Sequence, residues 1–169
     1  MKRLFKALHT LGSVGLMGGY FTVAILVSTA PLRPPEAAAA VLGAVDVVCT
    51  WLLLPAMLVT VLSGLWSIAV HRAFADAPWV WVKAGLGVVV FEATLQLQAH
   101  ARGTAEVATK VLAGEGDPEQ LPGLLHTARL ALGVLLLVGL LNVVLAIWRP
   151  RLRLQSDPPQ TEGNPDGPG

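Results

Sequence analysis

Uncharged residues fall into four long blocks along the chain, divided by short charged, polar or proline-rich stretches. The first runs from about Leu4 to Thr29, and the second holds 24 uncharged residues from Val47 to Val70, between Asp46 and His71-Arg72. The third opens at Ala77-Pro78-Trp79 and continues to about Gln98. The fourth holds 18 uncharged residues from Leu130 to Ile147, ahead of Trp148-Arg149-Pro150. A helix needs about 20 mostly apolar residues to cross a hydrocarbon core. The blocks therefore predict an all-α, integral membrane four-helix up-down bundle over residues 1–153, with spans near 5–29, 46–70, 79–100 and 124–148. The remaining tail, 154–169, is polar and rich in Pro and Gly, a composition that buries nothing and predicts disorder.

Several boundaries carry their own signals. Met1-Lys2-Arg3 ahead of an apolar run is also how a secretory signal begins, with Ser28-Thr29-Ala30 as its best cleavage site. Pro31 would follow that cut, and the run exceeds the roughly 7–15 residues of a signal core, so a retained helix is expected. Pro31, Pro34 and Pro35 then stop it. Pro55 inside the second span predicts a kink. Lys83 and Glu92 make the third span the least apolar, and Arg102 to Gly123 reads as a polar loop with one short helix after Asp117-Pro118.

Composition agrees with lipid as the solvent: 54% of residues are apolar and 14% charged, with a mean hydropathy of +0.63. Such a chain has no length left for a sizeable soluble domain. Its Lys and Arg sit at segment ends and form no stripe for nucleic acid. Cys49 is the only cysteine, which excludes an internal disulfide and any multi-thiolate metal centre. Cys49, Met17 and Met57 form no spaced motif for metal transport. With the N-terminus inside, eight Lys and Arg near span ends are cytoplasmic and four are outside, so both termini are expected in the cytoplasm of a bacterial inner-membrane protein. The expected partners are the lipid bilayer and a membrane protein or a second copy.

The candidate chemistry lies in polar residues at membrane depth: Asp46, Glu92, Gln96 and Asn142. Helical spacing places Trp81, Gly85, Gln96 and Ala99 on the same side as Glu92, and this stripe is expected to face protein. Glu92 is open to two readings, a carboxylic acid hydrogen-bonded to a neighbouring helix or a group handling protons or a cofactor. The four histidines divide between the two membrane faces, with His9 and His71 toward the inside and His100 and His126 toward the outside. His9 lies roughly 12 Å from the centre of its span and shares a face with Ser13 and Tyr20 beside Gly12 and Gly19, where a flat group could approach. Neutral imidazole is the usual axial ligand of haem iron, which makes haem b the cofactor to consider and His9 its best candidate ligand. Against this stands the plain reading that small residues pack helices and that histidines at span ends are interfacial. A haem-binding redox protein, a cofactor-free structural or assembly subunit, and a small transporter all remain open. No catalytic motif is present.

Leu8-His9-Thr10-Leu11-Gly12 with Gly18-Gly19, Trp51-Leu52, Pro55, Ser63-Gly64-Leu65-Trp66 and Trp79 together resemble a bacterial family of integral membrane proteins, domain of unknown function number two-two-six-nine, over about Lys6 to Arg153. Where that family has glutamine and proline ahead of the Ser-Gly-Leu-Trp run, this chain has Thr60 and Val61. The Leu-His-x-Leu-Gly start and Trp81-Val82-Lys83 are also similar, more faintly, to copper-resistance D-type proteins and haem-containing protoporphyrinogen oxidases. That similarity implies His9 as a haem ligand, Lys83 near a porphyrin carboxylate or substrate, and His100 near the oxidases' third-helix histidine. The oxidases' longer polar motif after the first histidine is missing.

Overall fold

A computed structural model describes residues 2–70 and 78–148, so His71 and the polar tail lie outside the described residues. Helix α1, Lys2–Thr29, is the first apolar block, and a 3-10 turn, Ala30–Leu32, ends it. Helix α2, Pro35–Val48, starts with proline at the first helical position, where the missing N–H is not needed, and four alanines propagate it. Hydropathy begins this span near 46, but α2 starts at Pro35 and joins helix α3, Leu54–Val70, through a π-helical turn at Cys49–Leu53. The turn lies directly before Pro55. Proline cannot donate to the carbonyl four residues back, and its ring displaces that turn of helix. The chain absorbs the fault by bonding Leu54 N–H to Cys49 O, a five-residue step.

Helix α4, Pro78–Leu112, continues well past His100, and the segment from Arg102 to Leu112 expected as a loop is helix. Hydropathy misses it because it is amphipathic. Ala101, Thr104 and Ala108 are buried at helical spacing, while Arg102, Glu106 and Lys110 face outward. Gly114, at φ 77°, ends the helix in the left-handed region that glycine tolerates. Helix α5, Gln120–Trp148, returns. Among the described residues, four apolar helical runs are long enough to cross a membrane: Arg3–Leu32, Pro35–Val70, Val80–Leu112 and Gln120–Leu145.

The helices pack around a ring in which α1 touches α3 and α5, and α4 touches α2 and α5, so α1 and α4 stand at opposite corners. Tyr20, Val23, Leu53, Met57, Leu132 and Leu135 are almost wholly buried at the centre. The outer surfaces of α1, α3 and α5 carry exposed apolar residues such as Phe21, Leu62 and Leu137, as oil requires. The void among Val23, Val45, Leu97 and Leu125 is only about 10 Å³, space for one water at most.

Helices α1 and α3 run antiparallel in close contact. Phe5 stacks on Trp66 with centroids 5.2 Å apart. A Cβ at Gly12 would lie 2.9 Å from Ala56 O and 3.1 Å from Thr60 N, so α3 backbone fills the space a side chain would take. Gly18 has nothing within 4 Å of its Cβ position. Gly12→Val is therefore expected to force the two helices apart and to cost about 1–3 kcal/mol. Gly18→Ala should be neutral; thermal unfolding of both variants in detergent checks the contrast.

Candidate functional site

His9 reaches from α1 to α3, where its Nδ1 lies 2.9 Å from Thr60 O and 3.2 Å from Ser63 Oγ. A carbonyl only accepts, so Nδ1 carries the proton and donates it. Ser63 spends its own hydrogen on Val59 O. The imidazole therefore ties two helices near the Lys6 end of α1. The small-residue face beside it is not open to a flat group. Thr60 and Ala56 close over Gly12, Leu53 over Gly19, and His9 itself lies 3.4 Å from the Cβ position of Gly64. These contacts fill the space beside Gly12 and Gly19 with α3 atoms.

His100 lies toward the other end of the bundle, where Nε2 donates to Leu124 O on α5 at 2.8 Å. His126 is exposed on α5, and His71 falls outside the described residues. His9 and His100 bond different helices toward opposite ends of the bundle and are not brought together, and no group of three His, Cys, Asp or Glu able to hold a metal occurs among the described residues. Lys83 is half-buried near the start of α4 and is not without a partner. Asn142 is half-buried and donates to Val138 O on its own helix.

A second set of polar residues runs through the bundle interior. Thr94 donates to Val90 O, so its oxygen accepts from Tyr20, and this bond spans the diagonal between α1 and α4. Cys49, fully buried in the π-helical turn, gives its backbone N–H to Asp46 O and Val45 O. One turn along, Gln98 donates to Thr50 at 3.3 Å, joining α4 to the same turn. Asp46 is half-buried, and its Oδ1 is shielded without a hydrogen-bond partner among the described residues. Asp46 was legible in the sequence as a polar residue at depth. Thr94 was not, although the lone tyrosine of the chain, set in an apolar block, was a signal that its hydroxyl needs a partner.

Glu92 and Gln96 are placed differently from the sequence expectation. Trp81, Gly85, Val88, Glu92, Gln96 and Ala99 do share one face of α4, but all six are exposed on the outside of the bundle. Val90, Thr94, Leu97 and Ala101 are the buried residues of this stretch and lie on the opposite side of the helix. The physical reason is fit: the β-branched and small residues of that side match the ring interior, and its one hydroxyl is spent on Val90 O. Gln96 Nε2 donates to Glu92 Oε1 at 2.9 Å, the one side-chain hydrogen bond the pair makes among the described residues. Glu92 and Gln96 lie well inside the candidate span Val80–Leu112, away from both of its ends.

The diagonal bond has a measurable signature. Tyr20→Phe and Thr94→Val are each expected to lower stability by about 0.6–1.7 kcal/mol, the range for hydrogen bonds between membrane helices. The double variant should lose little more than either alone; full additivity in a denaturant titration would show that the two hydroxyls do not interact.

Neither a curated protein nor a solved structure matches this chain. No likeness to copper-resistance D-type proteins or protoporphyrinogen oxidases accompanies the match that does exist. That match is to the family model described as predicted integral membrane protein (DUF2269), over residues 3–150. With nearly the whole helical bundle inside the matched region, the chain belongs to this family of multi-pass integral membrane proteins.

Proposed function

We propose that this protein is a structural or assembly subunit of a complex in a bacterial inner membrane, with both termini cytoplasmic. One observation carries the reading: a carboxyl and a carboxamide project outward from the middle of α4. Oil offers these groups no hydrogen-bond partner, and a charged group at a span centre costs about 2.5–3.5 kcal/mol on insertion scales. Another protein helix can supply what lipid cannot. The void deep among the helices is only about 10 Å³, and a larger one of about 340 Å³ lies at one end of the bundle beside Pro31, Pro118 and Pro122, an arrangement that favours a subunit over a small transporter. The cytoplasmic termini follow from the excess of Lys and Arg at that face.

A haem-b-binding, redox-associated protein is the competing reading. It is favoured by one detail, since an Nδ1–H bonded to a carbonyl leaves Nε2 as the ligating nitrogen of His9. The closed α1–α3 contact supports the assembly reading over it.

Extraction in mild detergent at native expression level should give a particle larger than the 17.8 kDa monomer. Glu92→Leu with Gln96→Leu should shift it toward monomer while leaving helicity unchanged. A wild-type monomer would remove the assembly reading. A Soret band that shifts with dithionite and is lost in His9→Ala would restore the haem reading. Reporters fused to the two termini should both respond in the cytoplasm, and opposite responses would overturn the orientation.

A further inference from the structure

We propose that the partner on this face of α4 is a second copy of the same chain, related by a two-fold axis along the membrane normal, with Glu92 of each copy paired to Gln96 of the other. The inference rests on the assembly reading and names its partner.

The unspent hydrogen-bonding groups are self-complementary. Gln96 gives one N–H to Glu92 Oε1. It keeps a second N–H and a carbonyl oxygen, while Glu92 keeps its other oxygen. One copy therefore presents both a donor and acceptors, and an isologous contact satisfies both sets at once. A second copy inserted in the same direction also brings these groups to the same depth without further adjustment. Any other partner would have to match depth, donor and acceptor separately.

The surroundings of the pair suit a close parallel helix contact. Gly85 and Ala99 stand seven residues before and after Glu92 on the same face, with Val88 and Leu95 beside them, all exposed. A seven-residue repeat keeps two helices in register at a crossing angle of about 20°. Toward the end of the helix, Arg102 and Glu106 form an exposed ion pair at 3.4 Å. This is a second donor and acceptor set four residues apart, able to pair diagonally across the same axis.

The test uses the full chain in its own membranes, with Cys49→Ala to remove the buried native thiol. Ala99→Cys on α4 and, as a control, Leu137→Cys on the outward face of α5 are treated with a short bis-maleimide. Ala99→Cys should give a covalent species of twice the chain mass, and Leu137→Cys should not. Adding Glu92→Leu and Gln96→Leu should reduce the dimer about tenfold, the loss of two intramembrane hydrogen bonds. Glu92→Gln, which keeps a donor and an acceptor, should retain it. Both substituted residues are exposed, so no core contact is lost. Crosslinking of Ala99→Cys to a different protein would overturn the second copy and leave the assembly reading standing. No crosslink, together with a monomer after extraction, would overturn both.

Discussion

Hydrocarbon supplies no hydrogen-bond partner, and most polar groups described in this bundle are arranged under that constraint, with Asp46 Oδ1, Glu92 and Gln96 as the exceptions. The hydroxyls of Thr10, Thr22, Thr60, Ser67 and Thr104 each return to a carbonyl four residues back on the same helix. Groups too long for that solution reach another helix. His9 bonds α3, His100 bonds α5, Tyr20 bonds Thr94, and Gln98 bonds Thr50. These bonds also fix register, because each is made at one relative height of the helices. Apolar packing in oil is less selective, since lipid tails are as apolar as leucine.

The same constraint explains the irregular backbone. Pro55 would leave a carbonyl unpaired in the middle of a span, and the π-helical turn from Cys49 to Leu53 redistributes the bonds instead. That turn brings Cys49 into the core and Thr50 to Gln98, beside Asp46. The interior polar residues thus gather where the helix is least regular. Close approach of α1 and α3 around Gly12 and Gly19 then seals the face beside His9.

Four apolar blocks and their proline boundaries made the all-helical membrane bundle legible in the sequence. Hydropathy could not show the full length of α2 and α4, because Pro35 to Val45 and Arg102 to Leu112 are held by neighbouring helices as well as by lipid. The shared face of Glu92, Gln96, Gly85 and Ala99 was also legible, since helical spacing alone defines it. Its direction was not. Burial cost argues that a carboxyl should turn inward, but the residues on the opposite side, Val90, Thr94, Leu97 and Ala101, fit the ring better. The lone Tyr20 required a partner, yet spacing within one helix cannot name a hydroxyl on the diagonal helix.

Glu92 and Gln96 therefore stand apart from the buried polar groups of the spans, bonded to each other and otherwise exposed on the outside of the single chain. The account holds that protein covers them in the membrane. Oxygen accessibility of a nitroxide label in bilayers tests this most directly, with the label placed at Ala99 on α4 and at Leu137 on the outward face of α5. Shielding at Ala99 with free access at Leu137 is the predicted result, and equal access at both positions would contradict it.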